Sequence, residues 1–331
     1  MEHKVSVIIP CYNGERFADR CLKSIYEQDY SSVEIIVIDD GSTDHSREKV
    51  LSWKERMGKK GYELSCITQK NQGTGGAVNT GLKYVTGEYL TLLDVDDEFL
   101  EGALKEKAAF LWEHPHVHAV RSNGWRIKGT EKFLFIQDER EKQMEDLFLA
   151  LLRGETNNWA GSYMVRTKKL FQFYRDREIY PSPYGQNLQI LLPVVYRGSC
   201  GYIDKPHMNY IQQPESLSQT ANKLEREAKE RKNAEGYLDI RIHMVKLIEK
   251  DRGKCEQYMR EIQGAYWRGI MQISLSFHNK KKMLEAYKML KKYASPTLDD
   301  RIVKFRLTSP KLVLLLKIMR KIRNLSLIGR N

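Results

Sequence analysis

Three carboxylates close the apolar stretch "LTLLDVDD" at residues 90–97, namely Asp94, Asp96 and Asp97. Like charges this close repel one another, and a buried carboxylate costs free energy unless hydrogen bonds or a cation compensate it. The stretch therefore indicates either a solvated turn after a strand or a cation site. Ligands that are all oxygen suit Mg²⁺ or Mn²⁺, which commonly bind through one or two carboxylates together with substrate phosphates.

Strands and helices alternate with short links through the first hundred residues. Apolar, β-branched runs predict four strands, at 5–10, 33–44 (including its turn), 63–70 and 88–97. Helical patterns lie between them, at 16–28, at about 44–56 and at 71–85. This order predicts a doubly wound α/β sheet with right-handed crossovers, in which ligands bind beyond the carboxyl ends of the strands. The polar groups at 10–13, 39–42 and 94–97 should therefore meet at one edge.

The alternation becomes weaker beyond residue 100. The predicted elements are a helix at 101–113, a pair of strand-like segments at 117–136, a helix at 145–154, a strand at 161–166, a helix at 184–198 and a strand pair at 202–211. Strand patterns stop near residue 220, and three helices are predicted from 222 onward. We therefore expect a domain boundary near residue 220.

The composition is that of a globular protein with a strong basic excess. Of the 331 residues, 41% are hydrophobic, and the formal net charge is +12, which favours an anionic partner: nucleic acid, a lipid surface or a phosphorylated substrate. Five scattered cysteines without a CxxC pair indicate reduced, buried thiols in a cytoplasmic protein. The start, "MEHKVSVIIP", leads directly into a strand, so no signal sequence is expected.

The last 31 residues, from Arg301, hold nine lysines or arginines and no acid. Their apolar run "LVLLL" at 312–316 is too short to span a bilayer, which takes about 20 apolar residues. The pattern fits an interfacial helix on an anionic membrane, and the alternative is a packed helix with a solvated basic face. Earlier in the chain, "NKKKM" at 279–283 predicts a solvated face or a helix start.

Three long segments resemble the family 2 glycosyltransferases of GT-A fold. They are "VSVIIPCYNGERFADRCLKSIYEQDY", "EIIVIDDGSTD" and "KNQGTGGAVNTGLKYVTGEYLTLLDVDD". The resemblance is strong over about the first 100 residues, weaker to about 220, and absent from the helical remainder. It implies a Rossmann-like mixed central sheet with flanking helices, followed by an all-α extension. The implied parts are a nucleotide-sugar-binding half at 1–100, an acceptor-binding half at 101–220 and the extension at 221–331.

The resemblance also implies a role for each strand end. Asp39 would accept a hydrogen bond from the uracil N3–H, and Asp94 would contact the ribose or the ion side of the nucleotide. Asp96, with Asp97 nearby and Asp94 beside it, would hold Mn²⁺ or Mg²⁺ on the pyrophosphate. The full set of residues implied for the nucleotide-sugar is Pro10, Tyr12, Asn13, Asp39, Asp40, Gly41, Ser42, Asn71, Gly73, Asp94 and Val95.

One departure from the family pattern concerns the acceptor-side base. Gln186 and Asn187 stand where many members carry Glu-Asp, and an amide cannot act as a general base. The base is therefore unassigned, with Asp176, Glu178 and Asp204 as weak candidates from flanking segments.

Two other departures concern positive charge near the phosphates. Val78 replaces a frequent arginine, and Gln212 stands where a phosphate-facing arginine is common. Lys205 or His207 would then be substitutes for the second of these charges.

These features predict an inverting transferase that moves a hexose or N-acetylhexosamine from a UDP-sugar to a glycan, carried on a polyprenyl lipid, in polysaccharide biosynthesis. It would work in the cytoplasm at the inner face of the cell membrane, with its basic tail on anionic lipid. Two alternatives are a catalytically degenerate member that binds nucleotide-sugar or glycan, and a basic module that binds lipid or nucleic acid. Nucleic acid is not expected, because the strand ends are acidic and no RNA-binding motif is visible.

Overall fold

The computed structural model describes residues 3–142, 144, 146–212 and 222–309. The chain forms two compact units, Met1–Ser216 and Leu217–Asn331, called here the N-terminal unit and the helical unit. None of the helices in the described ranges is long and apolar enough to cross a membrane. The interfacial helix predicted around 312–316 lies outside the described residues. The division of the N-terminal unit into nucleotide and acceptor halves stays a prediction.

Eight elements form the first part of the N-terminal unit. They are β1 (Val5–Cys11), α1 (Glu15–Tyr26), β2 (Val33–Asp39), α2 (Ser46–Leu51), α3 (Lys54–Lys59), β3 (Glu63–Thr68), α4 (Gly73–Tyr84) and β4 (Tyr89–Leu92). The single helix predicted at 44–56 is wrong: it is two short helices. The break between them turns Trp53 inward, where it is buried and its Nε1 donates to Asp19 Oδ1 at 2.9 Å. The fourth strand also stops earlier than predicted, so the three carboxylates lie in the turn after it.

Ten elements complete this unit. They are β5 (Glu98–Phe99), α5 (Ala103–Glu113), β6 (Val117–Lys128), β7 (Glu131–Leu134), α6 (Glu139–Lys142), α7 (Leu147–Arg153), β8 (Tyr163–Arg166), α8 (Thr167–Leu170), α9 (Gln186–Val195) and β9 (Ser199–Ile211). The strand pair predicted at 202–211 is wrong, because β9 is one strand of 13 residues. Pro206 pairs where the register with β6 shifts, so its missing N–H falls at an irregularity rather than in a regular ladder.

The strands form one mixed sheet in the order β3-β2-β1-β4-β8-β6-β9-β5, with β7 paired to β6. β1 is parallel to both β2 and β4, whereas β8 is antiparallel to β4. The carboxyl ends of β2, β1 and β4 therefore lie side by side, and the amino end of β8 comes next at the same edge. The predicted mixed α/β sheet followed by a helical region is confirmed.

Four helices make up the described part of the helical unit, where three were predicted. They are α10 (Lys223–Ile248), α11 (Arg252–Ser276), α12 (Lys280–Tyr293) and α13 (Leu298–Thr308). The extra helix, α13, begins with a capping box in which Thr297 and Asp300 bond to each other's backbone N–H. A small apolar core joins α11 and α12 through Ile270, Met271, Met283, Ala286 and Leu290.

The cysteines differ in part from the expectation. All five are free thiols, and Cys11 and Cys21 are buried as predicted. Cys66, Cys200 and Cys255 are partly exposed, so the prediction of burial is wrong for these three.

A fully buried lysine ties α5 to the segment before β8. Lys107 Nζ donates to the carbonyl oxygens of Gly161 at 3.1 Å and Ala103 at 3.3 Å. Burial lowers the pKa of Lys107 from its ordinary 10.5 to about 7. Between about pH 7 and pH 10.5, Lys107 is therefore protonated in the unfolded chain and deprotonated in the folded chain. Stability associated with Lys107 is fully present above the unfolded pKa and is lost as the pH falls towards about 7.

Replacing Lys107 with methionine should consequently change how unfolding depends on pH. We expect the melting temperature of the variant, relative to the wild type, to be highest at about pH 6 and to decline from about pH 7 to about pH 10. Thermal unfolding of both proteins across this range measures the difference. Lys105→Met is the control, because Lys105 is exposed and pairs with Asp29. A pH-independent difference for Lys107→Met would contradict the buried-amine account.

Candidate active site

The loops after β1 and β2 are joined by hydrogen bonds into one wall. Asn13 N donates to Ser42 Oγ at 3.0 Å, and Thr43 N donates back to Asn13 Oδ1 at 2.8 Å. Gly14 N donates to Ser46 Oγ at 2.8 Å. Asn13 adopts a φ of 49°, a left-handed conformation that asparagine tolerates. Two loops distant in sequence thus form a single rigid surface at the edge of the sheet.

Asp39 supplies a fixed acceptor in this wall. Its carboxylate is buried, with Oδ1 accepting from Ser42 N at 3.0 Å and Oδ2 accepting from Thr68 Oγ1 at 3.2 Å. Because a carboxylate has about four lone-pair sites, these two bonds leave capacity for a ligand N–H. The geometry is compatible with the predicted contact to a nucleobase.

Asp40 and Gly41 hold the next loop in place. Asp40 Oδ1 accepts from Gln69 Nε2 at 2.7 Å and from Gln72 N at 2.8 Å, so this carboxylate is used within the protein. Gly41 has a φ of +74°, and a Cβ there would lie 3.0 Å from Asn71 N. Both residues therefore shape the wall by fixing the entry to α4.

The other residues implied for the nucleotide line the same wall. Pro10 pairs with Ile38 in the β1–β2 ladder, and the following Tyr12 is 52% exposed. Asn71 Oδ1 accepts from Gly73 N at 3.2 Å at the start of α4. The sheet thus brings Pro10, Tyr12, Asn71 and Gly73 to the edge at which Asp39 lies.

The three carboxylates occupy a tight turn after β4. Asp97 N donates to Asp94 O at 3.0 Å, and Asp97 Oδ1 accepts from Ile211 N at 3.0 Å. Burial, and then the charge of Asp96, raises the pKa of Asp94. Burial raises the pKa of Asp96, and burial with the charges of Asp94 and Asp96 raises that of Asp97. In the absence of a ligand, the negative charge of these three carboxylates is therefore not fully compensated.

The donor set fits a hard cation bound together with a phosphate ligand. Within the described residues, no group of three or more His, Cys, Asp or Glu side chains is arranged to hold a metal ion. The turn can supply one or two carboxylates, as is common in Mg²⁺ sites, with the other positions left to phosphate oxygens and water.

Two residues that the sequence does not single out, Arg20 and Gly14, brace this turn. Arg20 Nη2 donates to Asp96 O, and Arg20 Nε lies 3.7 Å from Glu98 Oε2. Gly14 packs against the turn, because a Cβ there would lie 3.0 Å from Val95 Cγ1. The helical spacing of Arg16 and Arg20 could have indicated two cations on one face of α1. The charges of both oppose the larger effect of burial, which raises the pKa of Asp96.

Tyr163, also missed, connects the turn to α9. It is fully buried at the start of β8, and its hydroxyl donates to Asn187 Oδ1 at 2.9 Å. Burial, and then the charge of Asp94, raises the pKa of Tyr163. Asn187, and with it the neighbouring Gln186, is therefore held near Asp94. In the sequence Tyr163 reads as an ordinary core residue of a strand.

The structure does not bring the three candidate bases to the acidic turn. Glu178 pairs with Lys83 at 2.6 Å near the end of α4, which lies at the opposite edge of the sheet, and Asp176 is exposed in the same loop. Asp204 accepts from Lys142 Nζ at 2.8 Å, a contact that lowers its pKa. It precedes Ile211 by seven residues of one strand, roughly 23 Å.

The proposed substitutes for a phosphate-facing arginine are also engaged elsewhere. Lys205 forms an ion pair with Glu106, and His207 Nε2 lies 3.1 Å from Glu106 Oε2. Val78 is fully buried in α4, while Gln212 N donates to Ile127 O at 2.9 Å. The arginines whose charge acts on Asp96 come from α1 instead.

Comparison with known proteins gives the family. The model of "Glycosyl transferase family 2" matches residues 6–174. An uncharacterized glycosyltransferase of Nostoc sp. is 44% identical over 94 residues, 28% of each chain. The GalNAc(5)-diNAcBac-PP-undecaprenol beta-1,3-glucosyltransferase of Campylobacter jejuni is 30% identical over 210 residues, 62% of this chain and 64% of its own. These matches span less than two thirds of the curated relatives.

Solved structures show the same fold. Residues 1–349 of TarS from S. aureus, in complex with UDP-GlcNAc, align with a TM-score of 0.58 and 17% identity, over 91% of this chain and 90% of that one. The mannosyltransferase PcManGT from Pyrobaculum calidifontis, in complex with GDP-Man and Mn²⁺, aligns with a TM-score of 0.54 and 19% identity. This alignment covers 97% of this chain and 83% of that one.

The fold and site define a GT-A protein with a helical C-terminal region. Because the family model covers more than half of its length, the chain belongs to glycosyl transferase family 2, and the predicted resemblance is confirmed.

Proposed function

We propose that this chain transfers a hexose or N-acetylhexosamine, with inversion, from a UDP-sugar to a glycan carried on a lipid, in polysaccharide biosynthesis. The observation that carries the proposal is the meeting of the Asp39 wall and the turn with Asp94, Asp96 and Asp97 at one edge of the sheet. The names of two similar proteins support it. TarS is seen with UDP-GlcNAc, and the Campylobacter relative is named for an undecaprenol-linked acceptor.

The strand order predicts how the UDP-sugar would be oriented along this edge of the sheet. Neighbouring strands are about 4.8 Å apart, so β4 lies roughly 10 Å from β2, and β8 roughly 14 Å. A uridine held at Asp39 would place its pyrophosphate at Asp94 and Asp96. The sugar would then lie towards Tyr163 and Asn187, at the side where the second half of the unit begins.

Asp96, with Asp94 or Asp97 as a second carboxylate, would hold Mn²⁺ or Mg²⁺ in this arrangement. A bound divalent cation neutralises charge that develops on the departing nucleoside diphosphate. The chain itself fixes the geometry, because Arg20 holds the Asp96 carbonyl and Ile211 N holds the Asp97 carboxylate. The raised pKa values of these acids favour a cationic ligand at the turn.

The acceptor side favours a second candidate function. Asn187 Oδ1 accepts a hydrogen bond from the Tyr163 hydroxyl, which leaves the side-chain N–H₂ of Asn187 as a donor. Asn187 therefore supplies no general base at this position. Glu178 and Asp204 are paired with lysines. These observations favour a family member that binds a nucleotide-sugar or glycan without turnover.

The proposed location is the cytoplasmic face of the cell membrane. A lipid-linked acceptor requires the enzyme at that surface, and the basic segment from Arg301 favours anionic lipid.

Turnover separates the two candidates. Purified protein is incubated with each of several UDP-sugars and Mn²⁺, with and without a polyprenyl-diphosphate-linked glycan, and released UDP is measured. Acceptor-dependent release, absent in Asp96→Asn, supports the transferase. Binding of the UDP-sugar without release under any acceptor condition supports the non-catalytic member.

A further inference from the structure

The helix α12 presents a row of lysines to solvent. Lys281, Lys288 and Lys292 are spaced i, i+7 and i+11, which places them within an arc of about 40° on the helix. All three are exposed, and the flanking Lys280 and Lys291 are exposed too. We call these five residues the lysine face.

The other side of the same helix is apolar and buried. Met283, Ala286 and Leu290 belong to the core of the helical unit and lie opposite the lysine face. This burial fixes the rotation of α12, so the lysines cannot turn away from solvent. Leu284 breaks the polar pattern: it is 44% exposed and stands between Lys281 and Lys288 on the helix surface.

The first turn of α12 is electrostatically unfavourable for the chain alone. It holds Lys280, Lys281 and Lys282 and no acid, at the end of the helix that carries positive partial charge. Among the ion pairs of the described residues, this turn takes part in one, from Lys282 to Glu285 at 3.5 Å. An external anion would offset this repulsion.

We propose that the lysine face binds the anionic headgroups of a phospholipid membrane. Leu284 would enter the boundary between headgroups and acyl chains while the lysines pair with lipid phosphates. An exposed leucine among lysines favours lipid over nucleic acid, because a phosphate backbone offers it no apolar contact. This surface is distinct from the segment from Arg301 onward. It deepens the proposed function by holding the chain at the membrane that carries a lipid-linked acceptor.

Vesicle sedimentation tests the lysine face in the full chain. Vesicles of phosphatidylcholine are compared with vesicles that also contain phosphatidylglycerol, for the wild type and for Lys281→Gln/Lys288→Gln/Lys292→Gln. Each lysine near an anionic surface contributes about a fivefold change in binding, so the triple variant should bind about 100-fold more weakly. Lys23→Gln/Lys54→Gln/Lys59→Gln, exposed on α1 and α3, is the matched control and should bind like the wild type.

Several results would overturn the proposal. They are equal binding by the α12 variant and the wild type, an equal loss in the control variant, and wild-type binding that does not depend on phosphatidylglycerol. Binding of a short RNA duplex by the lysine face, with no binding to vesicles, would also overturn it. Leu284→Ser should weaken vesicle binding several-fold and leave its salt dependence unchanged, whereas the triple variant should show a weaker salt dependence than the wild type.

Stabilisation by UDP and Mn²⁺, measured on the same samples, keeps the proposed function separate from this test. If vesicle binding is lost in the α12 variant while UDP stabilisation persists, both proposals are supported. If the α12 variant binds vesicles more weakly than the wild type but UDP stabilises none of the proteins, the proposed function fails and the membrane surface stands.

Discussion

Replacing Asp96 with asparagine is expected to lower the rate of sugar transfer on the order of a hundred- to a thousandfold. Asp96 is the acid of the turn whose carboxylate is expected to face the pyrophosphate, and asparagine keeps its shape but not its charge. Because burial raises the pKa of Asp96, removal of this charge should not destabilise the folded chain in the absence of ligand. The rate is measured as UDP release with a saturating UDP-sugar, and folding as the melting temperature without ligand.

The control for this variant is Asp29→Asn. Asp29 is exposed and pairs with Lys105, so the same chemical change there should leave the rate unaffected. Transfer by Asp96→Asn at the wild-type rate would contradict the role of this carboxylate. A large fall in the melting temperature of Asp96→Asn would instead show that Asp96 is needed for the stability of the folded chain.

Replacing Gly75 with alanine should have the second largest effect, on stability and on the site together. Gly75 is buried in the first turn of α4, where a Cβ would run into the carbonyl oxygen of Ser182. A backbone atom cannot move aside as a flexible side chain can, so α4 must separate from the loop that leads to Gln186. We expect a loss of about 2–3 kcal/mol in the free energy of unfolding, measured by urea denaturation.

Gly58→Ala provides the matched comparison. Gly58 lies in α3, and a Cβ there would meet nothing within 4 Å. Alanine should therefore stabilise this helix by up to about 1 kcal/mol through its higher helix propensity. If Gly75→Ala behaves like Gly58→Ala, the close approach of α4 to Ser182 is not a feature of the folded protein.

The buried strands and the location of the site could be predicted from the sequence. β1 and β2 are buried on both faces, so their continuous apolar runs are unambiguous, and each ends in a polar loop. Once the alternation indicated parallel strands, geometry alone brought Asp39 and Asp94 to the same edge. The family resemblance added the roles of these residues, which stay predictions.

Contacts across long sequence separations could not be predicted in this way. Arg20 and Tyr163 have the patterns of a surface helix residue and a core strand residue, and their partners Asp96 and Asn187 are set by tertiary packing. The end of α2 depends on the burial of Trp53, which competes with helix propensity. The helix α13 was missed because its residues from Arg301 onward were assigned to the basic C-terminal segment, in which a helix was predicted farther along, around 312–316.

The central claim, that the edge formed by β2, β1 and β4 is a UDP-sugar site that uses a divalent cation, is tested most directly by thermal stability. Melting temperatures are measured with UDP, GDP, CDP and dTDP, each with Mn²⁺ or with EDTA. We expect UDP, at a concentration of 100 times its dissociation constant, to stabilise the folded wild type by about 2.7 kcal/mol. This stabilisation should require Mn²⁺ and should be lost in Asp96→Asn. If none of the four nucleotides stabilises the chain in either condition, the claim is contradicted.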